Sequence, residues 1–105
     1  LELFIYEISV KREGIKSYVV NEISQLNPDK TVIVIQDAHN GWLRISARRQ
    51  DYKVKMNDLM EKSVKGIPKS NAGGHIPAAA AKIPRTFREK FRKNMLNAAK
   101  KMMKK

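Results

Sequence analysis

The stretch Thr31–Ser46, TVIVIQDAHNGWLRIS, determines the fold more than any other part of the chain. Its first five residues are almost all apolar and β-branched, which is typical of a strand buried on both faces. Asn40-Gly41 is the strongest short signal for a β-hairpin turn. After the turn, Leu43 and Ile45 alternate with polar residues. The stretch therefore predicts a buried strand joined by a hairpin to a strand with one apolar and one polar face.

The residues before this stretch predict a strand and a helix. Residues 3–10, LFIYEISV, are rich in aromatic and β-branched side chains, as strands are. Helical spacing then relates Ile15, Tyr18, Val19, Ile23 and Leu26, and Asn27-Pro28-Asp29 ends the helix. A helix that connects two strands favours a parallel pair with a crossover. Because the chain begins inside a strand-like run without an initiator methionine, we expect it to be a fragment of a longer protein.

The second half of the chain predicts three helices. The first has Met56, Leu59, Met60 and Val64 as its buried stripe, with Asp51 or Asn57 as its N-cap. After a loop over residues 69–74, Pro77 suits the first turn of a short helix through Ala78–Ala81. A capping box formed by Thr86 and Glu89 starts the last helix. Its apolar stripe consists of Phe87, Phe91, Met95, Ala98, Ala99 and Met102, which we interpret as core packing, although basic amphipathic helices also bind membranes or partner grooves.

Together these elements predict a single small α/β domain, a mixed β-sheet with flanking helices and a basic C-terminal helix. We expect residues 1–84 to form the α/β domain, and residues 85–105 to form a basic amphipathic helix packed on it or extending it. The absence of a long apolar run argues against a membrane span, and the absence of cysteine is compatible with the cytoplasm, where we expect the protein to act.

The net positive charge of the chain lies almost entirely in its second part, residues 65–105. The formal net charge is +12, and residues 65–105 contain 12 Lys and Arg against one acidic residue. Such a region favours a polyanion, first nucleic acid and second an anionic membrane surface. A solvated lysine-rich tail explains the charge equally well.

The chain contains no complete catalytic set. His39 and His75 are the only histidines, and Asp37 with His39 supplies too few ligands for a catalytic metal site. The acidic residues show no paired spacing, and no serine has a base and an orienting group in a recognisable motif. We therefore predict no catalytic residue, no metal ligand and no cofactor in this chain.

Anion-binding groups are present in two places. Arg44, Ser46 and Arg48 alternate along a strand and would project to one side, with Arg49 next to them. Guanidinium groups bind phosphate through paired hydrogen bonds, and a hydroxyl adds a donor. An exposed polar strand face with surface arginines is the alternative.

The second place is Gly73-Gly74-His75, directly before the predicted Pro-Ala helix. Glycines let a ligand approach the backbone closely, a helix N-terminus attracts anions, and the imidazole adds a donor. A plain flexible turn is the alternative. If the two places lie at one edge of the sheet, they form a single phosphate site.

The order of strand, helix, strand, hairpin, Ser-x-Arg at Ser46 and Arg48, helix, and Gly-Gly-His followed by alanines resembles the DHH-associated domain, type 1. The resemblance covers about residues 3 to 84. That domain lies C-terminal to the catalytic domain of DHH phosphoesterases, such as RecJ-like exonucleases and oligoribonucleotide phosphodiesterases. The resemblance implies a substrate-binding domain, whose partner is the upstream DHH domain of the same protein.

In the family, the upstream domain holds two metal ions, usually manganese, and hydrolyses phosphodiester bonds. By matching positions, the resemblance implies that Gly73, Gly74 and His75 hold the phosphate, with Ser46 and Arg48 beside them. The expected ligand is single-stranded nucleic acid or an oligonucleotide, and the chain by itself should hydrolyse nothing.

Two other functions remain open. The chain is also similar to the RNA-binding module attached to alanyl-tRNA synthetases, and the basic C-terminal helix could dock on an acidic protein. The residues do not distinguish DNA, RNA and cyclic dinucleotide ligands.

Overall fold

A computed structural model describes residues 3–8 and 17–103 of the chain. Short 3-10 turns occupy His39–Gly41 and Arg85–Phe87. The strands are β1 (Leu3–Ile8), β2 (Thr31–Asp37), β3 (Trp42–Arg48), β4 (Asn71–Gly74) and β5 (Ala78–Pro84), and the helices are α1 (Ser17–Leu26), α2 (Met56–Ser63) and α3 (Arg88–Met103).

The five strands form one mixed sheet in the order β1-β2-β3-β5-β4. β1 runs parallel to β2, and the remaining neighbours are antiparallel. α1 connects β1 to β2, which confirms the predicted crossover pair. The hairpin at Asn40-Gly41 is also confirmed, because both residues have positive φ angles, 63° and 80°, and the Ala38 N–H donates to the Trp42 carbonyl at 2.8 Å. The predicted fold class, a mixed α/β domain, is correct.

The main core lies between one face of the sheet and the helices α2 and α3. Residues 31–35 of β2 are all buried, as the continuous apolar run predicts. Leu43 and Ile45 of β3 are fully buried, while Arg44 between them is exposed. The core cluster joins these strand residues to Met56, Leu59, Met60, Phe91, Met95 and Ala99 of the two helices. Binary patterning therefore predicted this side of the molecule correctly.

α1 packs on the opposite face of the sheet and covers β2. Val20 is buried there against Val32 and Val34, with Ile23 partly buried beside them. Leu26 ends α1, as the helical spacing predicts, and is 76% exposed. It is exposed because it lies beyond the part of α1 that contacts the sheet. Ile15 and the side chains of Tyr18 and Val19 lie outside the described residues.

The predicted stripe of α2 is confirmed, but its start is not. Met56, Leu59 and Met60 are fully buried, and Val64 packs partly buried against the same core. The N-cap position is Lys55, without a side-chain capping bond, instead of Asp51 or Asn57. Asp51 lies five residues before the first residue of α2 and accepts a hydrogen bond from Arg49.

The predicted Pro-Ala helix is wrong, because Ala78–Ala81 belong to strand β5. Alanine prefers a helix by only a fraction of a kcal/mol per residue over most other residues, and tertiary contacts override this. β5 lies between β3 and β4, so its backbone groups are paired on both sides. Pro77 lies in the turn before it, where the missing N–H costs no ladder hydrogen bond. The uncapped helix N-terminus expected as an anion site therefore does not exist.

Residues 71–74, predicted as part of a loop, form the edge strand β4. The predicted stripe of α3 is core packing, as we interpret it above, because Phe91, Met95, Ala98 and Ala99 are buried in the main cluster. Within the described ranges, no helix combines the length and apolar character that crossing a bilayer requires.

Candidate functional site

The face of β3, β5 and β4 that lies on the α1 side of the sheet is the candidate site. We call it the open face, because its residues Arg44, Ala80, Lys82, Asn71 and Gly73 are exposed. α1 covers β2 on this side, and the three following strands extend beyond it. The opposite face of the same strands is the main core. The open face therefore offers a surface of paired strands to a ligand.

Strand register arranges the open face in three rows. In the first, Arg44 is opposite Lys82, which is opposite Asn71. In the second, Ala80 lies between Ser46 and Gly73.

The third row pairs Arg48 with Ala78 on β5, and Ala78 exchanges backbone hydrogen bonds with His75. Strands lie about 4.8 Å apart, so Ser46 and Gly73 are separated by about 10 Å across a floor of small residues. The alternation of Arg44, Ser46 and Arg48 on one side of β3 is as the sequence predicts.

Arg48 is half-buried and partly held by the protein itself. Its Nε donates to Asn21 Oδ1 of α1 at 2.7 Å. Its Nη1 donates to the carbonyls of Ala47 and Ala79, at 2.9 and 3.3 Å. Burial lowers the pKa of the Arg48 guanidinium from its ordinary value, and Arg remains protonated in proteins at any ordinary pH. These bonds fix a cation at the boundary between α1 and the open face, and its Nη2 group takes no part in them.

The two glycines of β4 have different surroundings. A Cβ added at Gly73 would meet no atom within 4 Å, because this position faces outward on the open face. A Cβ added at Gly74 would lie 2.5 Å from the Cα of Ala79. Gly74 also has a φ of 142°, in the region that favours glycine. Gly74 is therefore required by the fold, whereas Gly73 keeps the open face flat.

His75 is exposed in the three-residue connection, residues 75–77, that joins β4 to β5. Its N–H donates to the Ala78 carbonyl at 2.7 Å, and the Ala78 N–H donates back at 3.2 Å. Two further backbone bonds anchor the turn, from the Arg49 N–H to the Pro77 carbonyl and from the Met56 N–H to the Ile76 carbonyl. The glycine strand, His75 and the β3 arginines therefore belong to one rigid unit.

Arg49 does not join this group. Its side chain is 4% exposed, and its Nε and Nη2 donate to the two carboxylate oxygens of Asp51 at 2.8 and 3.2 Å. Its Nη1 donates to the hydroxyl of Thr31 at 3.1 Å. The hydrogen bond from Arg49 lowers the pKa of Asp51 below its ordinary value. The geometry gives Arg49 a place in the fold and does not bring it to the open face.

Two residues of the open face, Lys82 and Asn71, were missed by sequence analysis. Lys82 lies opposite Arg44, and its Nζ is 4.8 Å from the ring centroid of Trp42, a cation–π distance. The alternation of β5 could have revealed Lys82, since Ala79, Ala81 and Ile83 are buried and Lys82 is exposed. Four consecutive alanines hid that alternation, because alanine itself carries little signal for either face.

The described residues provide no metal centre. In residues 3–8 and 17–103, no group of three or more His, Asp or Glu side chains is placed to hold a metal ion. Asp37 is paired with Arg85 and Arg88 at 3.4 and 3.8 Å, which ties the end of β2 to the start of α3. A metal therefore has no fitting set of ligands among these described residues. The exposed cations of the open face, Arg44 and Lys82, suit it to binding an anion.

Three solved structures share this fold. The C-Ala domain of alanyl-tRNA synthetase from Aquifex aeolicus has a TM-score of 0.60 at 10% identity, over 96% of this chain and 91% of that chain. The pGpG-specific phosphodiesterase PggH from Vibrio cholerae also has a TM-score of 0.60, at 13% identity over 92% of this chain. A DHH-domain protein described as a member of a family of ribosomal proteins has a TM-score of 0.56, at 12% identity over 89% of this chain.

This chain spans 33% of PggH and 25% of the DHH-domain ribosomal-family protein, so it corresponds to one part of each. A search of the curated proteins finds no match. The family model described as the DHHA1 domain matches residues 3–105, which includes α3. DHHA1 is an accessory domain of DHH-family proteins and not the catalytic one. The chain belongs to the DHHA1 domain family.

Proposed function

We propose that this domain binds the phosphodiester backbone of a single-stranded nucleic acid or oligonucleotide on the open face. It would present that substrate to a DHH-type catalytic domain of the same protein, in the cytoplasm. The parent would be a metal-dependent phosphodiesterase or exonuclease, with the divalent metal, manganese in our expectation, held by the catalytic domain. The DHHA1 domain alone would bind without hydrolysis.

The observation that carries this proposal is the row arrangement of the open face. It combines the cations of Arg44, Arg48 and Lys82 with the hydroxyl of Ser46. Gly73 and Ala80 leave the space between these groups free of bulky side chains. Phosphate oxygens take hydrogen bonds from guanidinium, ammonium and hydroxyl groups, and a flat strand surface lets the backbone come close.

Each proposed site residue has a distinct part. Arg48 is held in place by Asn21 and supplies a fixed charge, whereas exposed Arg44 is free to adjust to the ligand. Ser46 and Gly73 lie at the two ends of the second row, with Ala80 between them. His75 supplies a further donor at the end of the third row. Gly74 contributes by holding the hairpin shape. For Arg49 the proposed contribution is indirect, because its backbone N–H anchors the turn that carries His75.

Titration of a labelled single-stranded oligonucleotide into the 105-residue chain tests the proposal. The double variant R44Q/K82Q should bind about tenfold more weakly than the wild type, because two exposed charge contacts are lost. The slope of log affinity against log salt should fall by about 1.4 for the two phosphate contacts. The control K93Q/K100Q removes the same charge from exposed positions of α3 and should bind like the wild type. Equal losses in both variants would show that net charge alone attracts the ligand.

The ligand class follows from two competition experiments. A linear dinucleotide such as pGpG should displace the labelled strand if the open face holds the phosphates between neighbouring nucleosides. A folded tRNA that competes much better than an unstructured RNA of equal length would favour the second candidate, a tRNA-binding module. The observation that supports this second candidate is the match over 91% of the C-Ala domain of an alanyl-tRNA synthetase.

A further inference from the structure

A basic groove lies on the helical side of the molecule, away from the open face. It has a volume of about 340 Å³ and runs between the C-terminal end of α2 and the outer side of α3. We call it the lysine groove, and its lining residues are Lys62, Lys65, Asn94, Asn97, Ala98 and Lys101. None of these six residues is acidic.

The walls of the lysine groove are held by hydrogen bonds. Asn94 Nδ2 donates to the carbonyls of Ser63 and Lys65, each at 3.0 Å. These bonds fix α3 against the end of α2 and satisfy carbonyls that the helix leaves unpaired. Ala98 forms part of the floor and belongs to the main core. The groove is therefore a stable feature of the packing between two helices.

A fourth lysine lies beside the groove. The Lys90 Cε is 3.3 Å, and its Nζ 3.6 Å, from the position that a Cβ of Gly66 would occupy. Residues 90, 94, 97 and 101 recur at helical spacing on one side of α3, so Lys90 belongs to the same stripe as the lining residues. Lys93 and Lys100 lie on a neighbouring stripe, whose centre is about 70–90° away around the helix at 3.6 residues per turn.

Helix dipoles explain only part of this arrangement. Lys62 is in the last turn of α2 and Lys101 in the last turn of α3, where cations are favourable. Lys90 is in the first turn of α3, where a cation is unfavourable. Several ammonium groups around one concave surface repel each other unless an anion lies between them. A phosphate group is an anion of the kind that this surface attracts.

The edge of the sheet connects the lysine groove to the open face. α2 packs against β4, the edge strand whose Gly73 and Asn71 belong to the open face. The smallest extent of the molecule is 21 Å, which is short compared with a flexible strand of several nucleotides. A strand that leaves the open face over β4 meets α2, whose last turn carries Lys62 of the groove.

We propose that the lysine groove is a second binding site for the phosphate backbone, occupied by the same single strand after it leaves the open face. The identity of this ligand rests on the function proposed above, whereas the position of the site rests on the groove alone. The open face then selects the reacting end of the strand, and the groove adds affinity only for strands long enough to reach both sites.

The test compares K65Q/K101Q with the control K93Q/K100Q, which removes the same charge from the neighbouring stripe of α3. Both variants are titrated with an oligonucleotide of about 15 nucleotides, near the upper site size of small single-strand-binding folds, and with the dinucleotide pGpG. Circular dichroism and the melting temperature establish that both variants fold.

For the long strand, the groove variant should bind about tenfold more weakly than the control, with a salt slope lower by about 1.4. For pGpG, the two variants should bind equally. Equal affinity for the long strand would overturn the inference, and so would an equal loss for both ligands. The two proposals fail separately: if R44Q/K82Q keeps full affinity while K65Q/K101Q loses it, the open-face function is wrong and the groove stands. Binding of anionic phosphatidylglycerol vesicles that depends on Lys65 and Lys101, without length-dependent binding of the oligonucleotide, would also refute nucleic acid as the occupant.

Discussion

The two adjacent glycines of β4 provide the sharpest prediction, because the structure assigns them opposite requirements. At Gly74, an added Cβ would lie 2.5 Å from the Ala79 Cα, 2.6 Å from the Ala78 carbonyl oxygen and 2.8 Å from the Ala79 Cβ. Two of these neighbours are backbone atoms of the paired strand, so neither can move away by a rotamer change. At Gly73 the same addition meets no atom within 4 Å.

The cost of Gly74→Ala follows from two contributions. A φ of 142° is sparsely populated for a residue with a side chain and costs about 1–3 kcal/mol. Overlap with packed backbone costs about 1–3 kcal/mol more. The sum, about 2–6 kcal/mol, is a large share of the roughly 5–15 kcal/mol that stabilises a domain. The melting temperature should fall by about 10 °C or more.

Gly73→Ala is the matched control for the fold and the test for the site. Its φ lies outside the left-handed region, so alanine should stabilise the chain by about 0.4–1 kcal/mol through the unfolded state. Its methyl group would project from the open face and should weaken oligonucleotide binding several-fold. Urea unfolding followed by circular dichroism measures the first effect, and fluorescence titration measures the second. Equal stability of the two variants would refute the assignment of Gly74 to the fold and Gly73 to the ligand.

Three further predictions concern contacts around the two proposed sites. Asp51→Asn should lower the free energy of unfolding at neutral pH by about 1–3 kcal/mol, because it removes the carboxylate that pairs with the buried Arg49, which keeps its bond to Thr31. Since folding lowers the pKa of Asp51, its contribution is present above its unfolded value, about 3.9, and is lost as the pH falls through the folded pKa. The difference between wild type and variant should therefore shrink below about pH 4 in urea unfolding at several pH values, and a difference that persists there would contradict this origin. Asn94→Ala should cost about 1–2 kcal/mol by removing two bonds to the end of α2, and an unchanged urea midpoint would exclude that role. Arg48→Lys should weaken oligonucleotide binding, because an ammonium does not reproduce the guanidinium fork. Asn21→Ala should lower the free energy of unfolding by about 1 kcal/mol and keep most of the binding. Fluorescence titration and thermal melting of both variants measure the two effects, and an equal loss of binding in both would contradict this division.

The elements that the sequence predicts correctly are those with a strong local signal. The TVIVI run, Asn40-Gly41 and the stripe of α2 are confirmed, because each has one conformation that is clearly favoured. Ala78–Ala81 was assigned to a helix, because alanine favours a helix weakly and its small side chain hides the alternation of a strand. These alanines form a strand because β5 pairs with β3 on one side and β4 on the other. Their small side chains keep the open face flat at β5.

The sequence by itself determined that the chain is a mixed α/β domain, that its net positive charge lies in residues 65–105, and that Arg44, Ser46 and Arg48 share one side of a strand. These properties depend on composition and on periods of two or 3.6 residues, which adjacent residues specify. Only the tertiary structure decided that Gly73 lies two strands from Ser46, that Arg49 is buried against Asp51, and that lysines of α2 and α3 line one groove. These relations join residues far apart in the chain, and the physical reason is that register and helix packing depend on the whole core and not on any local preference.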